Sequence, residues 1–153
     1  MSTDTVTLSG NWNYPTAIRF GAGRIKELGK VCKAQGIHRP LLVTDPGLAK
    51  LPMIPAALSD LEAAGVPAVV FSDVRGNPVS ANVVAGIEAY RAGGHDGVIA
   101  WGGGSAMDCA KVVALMVGQT RPMWDFEDIG SNWQLADPDG IAPIIAIPTT
   151  SGT

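Results

Sequence analysis

Residues Ile99–Lys111 read "IAWGGGSAMDCAK": an apolar run, three consecutive glycines, and then an amphipathic stretch. Glycine loses more conformational freedom on folding than any other residue. Three together therefore mark either a turn that only glycine fits or a backbone surface that a ligand approaches closely. An apolar strand before the glycines and a helix-period segment after them predict a strand-to-helix hand-over. In that geometry the free N–H groups and the positive end of the helix face a ligand's phosphate.

The rest of the chain repeats this hand-over. Near-continuous apolar runs lie at Leu41–Thr44 ("LLVT"), Ala68–Ser72 ("AVVFS"), Gly97–Trp101 ("GVIAW") and Ile144–Ile147 ("IIAI"). Apolar runs without alternation predict strands covered on both faces, as in a parallel sheet. Helix-period segments separate them. Ile25, Leu28, Val31 and Cys32 share a face that ends near Gly36; Ile54, Leu58 and Leu61 mark a second, with Pro55 in its first turn. Val83, Val84, Ile87 and Tyr90 mark a third, with Ser80 as the expected cap and Gly93-Gly94 as the close. Val112, Val113, Leu115 and Met116 belong to the fourth. Strands alternating with helices imply an α/β fold with a doubly wound, mostly parallel, Rossmann-like sheet. The opening "NWNYPTAIRFGAG" alternates and precedes this series, which predicts an additional N-terminal β-ribbon.

Composition narrows the function. A chain of 153 residues with 46% hydrophobic and 16% charged residues is long enough for one domain with a core, assigned here to residues 1–153. A net charge of −3, with no basic cluster among aromatics, argues against nucleic acid. The polar start "MSTDTVTLSG" predicts no signal peptide, and no apolar run reaches membrane-spanning length. Cys32 and Cys109 form no CxxC pair and are expected as reduced thiols in a cytoplasmic protein. Between Gly118 and Gly140, Trp124, Phe126 and Trp133 lie among five acids, predicting a surface excursion pinned by its aromatics. The neighbours Glu127 and Asp128 are poorly spaced for one ion.

Candidate site residues cluster at strand ends, where ligands of open α/β sheets bind. Gly102, Gly103 and Gly104 match G-x-G-x-x-G only in part, because Met107 holds the third glycine position. Ser105 and Asp108 have the spacing of a capping box, which is compatible with a phosphate role because a cap satisfies only some of the free N–H groups. Asp45 is either a turn former before Pro46-Gly47 or an acceptor for ribose hydroxyls, in which case it repels a 2′-phosphate and favours NAD over NADP. Asn77, in "GNPVS", is a turn former or a ligand-facing amide. The closing "IPTTSGT" sets hydroxyls and N–H groups at the end of the last strand.

"GGGSAMDCAK" followed by "AIPTTSGT", together with "RFGAGRIKEL", "LLVTDPGL" and "GNPVSANV" in order, resembles the iron-containing (group III) alcohol dehydrogenases. The sister glycerol dehydrogenases and dehydroquinate synthases are similar in architecture but less so after the glycines and the Pro-Thr-Thr. The resemblance implies NAD as cofactor, an alcohol or aldehyde substrate and a homo-oligomer. By it, Asp45 contacts the adenosine ribose and Asn77 lies beside the cofactor. Gly102 to Ser105 hold the pyrophosphate, with Asp108 near them, and Thr149 and Thr150 contact the nucleotide. The family's metal ligands, an Asp and three His, lie in a helical second domain beyond the threonine motif. Iron or zinc is therefore expected only in a complete protein, and these residues alone are expected to carry no catalytic or metal-ligating group. His38 and His95 are read as surface or turn histidines. A stand-alone nucleotide-binding module and a polyol dehydrogenase remain the alternatives.

Overall fold

A computed structural model describes residues 9–13 and 16–151. Four parallel strands form its centre: β3 (Pro40–Val43), β4 (Val69–Phe71), β5 (Gly97–Gly102) and β6 (Ile144–Pro148). Their order in the sheet is β4-β3-β5-β6. The register pairs Leu42 with Val70 and Ile99, and Ile99 in turn with Ile145. All four expected strands form, within one or two residues of the expected ends.

Side-chain alternation explains why these runs are apolar throughout. Leu41, Val43, Val98 and Ala100 point to one face, beneath α3 (Ser80–Ala92) and α4 (Gly104–Met116), where Val83, Cys109, Ala110 and Val113 complete a buried cluster. Leu42, Ile99 and Trp101 point to the other, beneath α1 (Leu28–Ala34) and α2 (Met53–Ala63), with Cys32, Ile54 and Leu61. Two cores thus sandwich the sheet, which is the arrangement that continuous β-type runs require. Both thiols are buried, and burial pushes each up to about 11.

The expected helix at Ile25–Cys32 begins with a 3-10 turn (Arg24–Glu27), leaving Ile25 exposed. Its chain reverses at Gly36 (φ +72°), where a left-handed residue ends the helix as expected. Pro55 lies in the first turn of α2. The cap expected at Ser80 is not formed. Val79 holds the cap position in an extended conformation, and Asn82 Oδ1 accepts its N–H at 3.0 Å. Asn82 reaches back because its longer side chain is anchored by Nδ2 donating to Asp73 O.

The N-terminal ribbon is present as β1 (Ser9–Asn13) paired antiparallel with β2 (Ala17–Gly21). Tyr14, Pro15 and the polar residues 1–8 lie outside the described residues. Arg24 joins the ribbon to the domain: its Nη1 donates to Gly10 O and Asn11 Oδ1, and its Nε to Glu27 Oε1. Arg19 also bonds Glu27, and the two guanidiniums hold this carboxyl down at about 2.

The excursion after α4 departs from expectation in how it is held. Of the three aromatics, Phe126 is half-buried, while Trp124 and Trp133 are 68% and 69% exposed. Three 3-10 turns (Met123–Phe126, Asn132–Leu135, Pro138–Gly140) fold it over the surface. Its ends are closed by polar bonds: Gln119 Nε2 donates to Asp137 O and Asp137 N–H to Gln119 Oε1, both at 2.8 Å. Gly118 and Gly140 then pass so closely that a Cβ on either meets backbone of the other. Backbone proximity and a bidentate amide do the work expected of the two tryptophans.

Candidate functional site

Strand order decides where a ligand fits. The chain runs from β3 outward to β4, then returns across β3 to β5 and on to β6. The direction of winding therefore reverses between β3 and β5, and at such a switch point the loops leaving neighbouring strands part to form a crevice. A cleft of about 520 Å³ lies there, lined by Asp45–Gly47 after β3, Val74–Gly76 after β4 and Gly103–Ala106 at the start of α4.

The three glycines have different reasons. Gly102 has φ +156°, and a Cβ there would stand 2.7 Å from Cβ of Ala106. The fold itself requires that glycine, because the helix must begin directly over the strand end. Gly103 is the cap of α4 with ordinary angles (φ −79°, ψ −170°), and a Cβ on it meets Thr150 Cγ2 at 3.4 Å, normal contact. A Cβ on Gly104 meets nothing within 4 Å. The protein does not need Gly104 to be bare; the open cleft beside it is what a side chain would fill.

Helix polarity supplies the donors. The first bond of α4 runs from Met107 N–H to Gly103 O, so the N–H groups of Gly104, Ser105 and Ala106 have no acceptor within the helix. Among the described residues no side chain caps them: the expected capping box of Ser105 and Asp108 is not formed. Ser105 Oγ instead accepts the N–H of Asn77 at 3.2 Å, because the β4–α3 loop passes over the helix start. Asp108 is exposed one turn further along and does not line the cleft.

Asp45 adopts the turn role, with Oδ1 accepting the N–H groups of Gly47 and Leu48, both at 2.9 Å. Its second oxygen makes no hydrogen bond among the described residues and faces Gly102, 3.7 Å from where a Cβ would stand. Turn former and ligand acceptor are thus compatible on one carboxylate. Asn77 is the turn former at φ +52°, with its N–H committed to Ser105. Thr149 N–H donates to Gly102 O at 3.0 Å, which with the Thr150–Gly103 approach sets the threonine pair against the glycine loop rather than in the cleft lining.

A dinucleotide fits these residues: among the described residues the cleft offers helix N-terminal N–H groups without an acceptor, open space beside Gly104, and a carboxylate oxygen of Asp45 without a hydrogen bond. Arg75, also in the lining, carried no motif signal beyond its place just before "GNPVS". The histidines lie at the opposite edge of the sheet, before β3 and β5. His38 is exposed, and His95 is buried with Nδ1 2.9 Å from Arg39 O and its ring tilted against Tyr90. Among the described residues no three His, Cys, Asp or Glu side chains are grouped to hold a metal ion, and no helix is long and apolar enough to cross a membrane.

Known proteins resemble this chain in sequence and fold. The chain is 34% identical to choline dehydrogenase of Bacillus subtilis over all 153 residues, which make up 38% of that protein. It is 36% identical to 4-hydroxybutyrate dehydrogenase of Cupriavidus necator, covering 92% of this chain and 36% of the relative. Among solved structures, sulfoacetaldehyde reductase of Bifidobacterium kashiwanohense in complex with NAD+ superposes with a TM-score of 0.75 at 33% identity, over 88% of this chain and 34% of that one. The 153 residues thus span little more than a third of these proteins' length. The model of the iron-containing alcohol dehydrogenases matches residues 15–153, so with its doubly wound sheet and glycine loop the chain belongs to the iron-containing alcohol dehydrogenase family.

Proposed function

We propose that residues 1–153 form the dinucleotide-binding domain of an NAD-dependent, metal-dependent alcohol dehydrogenase that interconverts an alcohol with an aldehyde or ketone. The observation that carries this reading is the cleft at the β3/β5 switch point, where Gly104 borders open space and the first N–H groups of α4 find no acceptor among the described residues. When bound, the nicotinamide cofactor supplies a hydride acceptor or donor. This chain's part is to hold it. The N–H groups of Gly104, Ser105 and Ala106 take the pyrophosphate, the free oxygen of Asp45 accepts ribose hydroxyls, and Asn77 fixes the loop that closes the side of the cleft. Gly102, Gly103, Asp108, Thr149 and Thr150 complete the assignment as the glycine turn and its flanks.

In the reading proposed here iron or zinc belongs to residues beyond these, as the resemblance to the iron-containing family implies. We further take the protein to be a cytoplasmic homo-oligomer, and its membership of a dehydrogenase family supports a small alcohol or aldehyde as substrate. The test is titration of the native-length protein with NADH, followed by energy transfer from tryptophan to nicotinamide. Supplying iron or zinc and NAD with a panel of simple alcohols then reads hydride transfer at 340 nm, the wavelength at which reduced nicotinamide absorbs. Saturable NADH binding and metal-dependent NAD reduction are expected; no dinucleotide binding refutes the proposal.

A further inference from the structure

We propose that Arg75 is the side chain that grips the cofactor's diphosphate. The inference rests on the cofactor reading above and adds to it a residue that the glycine and threonine motifs do not contain. Arg75 is exposed on the β4–α3 loop and lines the switch-point cleft, where it is the one Lys or Arg among the described lining residues. Arg19, Arg24, Arg91 and Arg121 are each engaged by a carboxylate or a main-chain carbonyl, and Arg39 precedes β3 at the far end of the sheet, outside the lining. The Arg75 guanidinium makes no hydrogen bond or ion pair among the described residues. Its loop is not loose there, because Asn77, two residues on, is bonded through its N–H to Ser105 in the first turn of α4. The backbone that carries this guanidinium is thereby fixed beside N–H donors that have no acceptor among the described residues.

Charge assigns the two ends of the cleft. Asp45 and Arg75 are the two charged residues in the lining, one on the β3 loop and one on the β4 loop. A diphosphate with two negative charges is repelled by the Asp45 carboxylate and attracted to Arg75 and the positive end of α4. Hydroxyls are suited to Asp45. An ADP moiety therefore lies with its ribose toward Asp45 and its phosphates toward Arg75, and a guanidinium matches phosphate oxygens by a fork of two parallel donors.

The experiment is calorimetric titration of the native-length protein with adenosine, ADP, ADP-ribose and NAD, for the wild type, Arg75→Gln and Arg75→Lys. Arg75→Gln is expected to weaken ADP, ADP-ribose and NAD by about five- to fiftyfold. It leaves adenosine unchanged and flattens the salt dependence of ADP binding. Arg75→Lys recovers part of the loss, since the charge returns without the fork. Arg75→Gln binding ADP and NAD with wild-type affinity and salt dependence, or losing adenosine as much as ADP, overturns the assignment. If the wild type binds none of the nucleotides, the cofactor reading fails and takes this one with it; wild-type binding with an indifferent Arg75→Gln overturns Arg75 alone.

Discussion

The N–H of Asn77 donates to Oγ of Ser105 across 28 residues of sequence, at 3.2 Å, and so fastens the loop after β4 to the first turn of α4. A hydroxyl that could have capped its own helix is used to set the width of the cleft. Asn77 sits at φ +52°, a conformation asparagine tolerates better than other non-glycine residues. Ser105→Ala is expected to cost about 0.5–1.5 kcal/mol of local stability. Amide exchange at Asn77 should accelerate while the strands stay protected, with weaker NAD binding. Unchanged exchange at Asn77 would show that the bond does not hold the loop.

The glycine loop separates by position. Gly102→Ala places a methyl on Ala106 in an unfavourable backbone conformation and is expected to lower stability by about 1–3 kcal/mol. Gly104→Val meets open space. It should leave the urea midpoint and far-UV circular dichroism near native while weakening NAD about tenfold or more. Gly103→Val is expected to follow Gly104→Val, with some crowding against Thr150. Ordinary NAD affinity in Gly104→Val would mean that no phosphate occupies that space.

Asp45 combines a turn and a charge, so its substitutions must separate them. Asp45→Asn keeps an Oδ1 acceptor for Gly47 and Leu48 and removes the charge. The preference for NAD over NADP is expected to fall by about tenfold, within the range of one charge-assisted hydrogen bond. The unfolding midpoint should move little. Asp45→Gly loses both functions and should also destabilise the turn. Equal loss of NAD and NADP in Asp45→Asn would remove Asp45 from the ribose.

Glu27 gives an acid-sensitive ribbon. Its carboxyl is held at about 2, against an ordinary value of 4.5, by hydrogen bonds from Arg24 and then Arg19. A depressed value in the folded state stabilises above pH 4.5, and that contribution is lost progressively as pH falls from 4.5 to about 2. Amides of β1 and β2 should therefore lose exchange protection in that window before the central sheet does. Glu27→Gln should remove the pH dependence and leave the ribbon less protected at neutral pH.

Cys32 and Cys109 are buried, with both thiols pushed up to about 11 by removal from water. The thiolate is the nucleophile. At pH 8 neither should react with a thiol reagent in the native protein, and both should react after unfolding in urea. Rapid native labelling would show that one of the helices opens readily.

Four near-continuous apolar runs separated by helix-period segments were enough to determine a parallel sheet with helices on both faces, because burial on two sides leaves no place for polar alternation. The glycines after "IAW" likewise marked the strand-to-helix turn and the candidate cradle. Sequence alone could not order the strands, since all four look alike in composition. Packing of α1 and α2 on one face, and α3 and α4 on the other, puts β3 between β4 and β5 and so makes the switch point. The same holds for individual side chains. Ser105 and Asp108 have the spacing of a cap, yet Ser105 Oγ accepts from a loop 28 residues away, because the N–H donor nearer in space wins over the one nearer in sequence. Arg75 has no periodicity or motif to announce it, and only the return of the chain across β3 brings it to the cleft. Trp124, Phe126 and Trp133 were expected to anchor the excursion, but only Phe126 is half-buried; Gln119 and the close Gly118–Gly140 backbones close its ends and both indole rings are exposed. Residue type reports how a position is buried and how its backbone bends; which distant group it meets is decided by the packing of the whole chain.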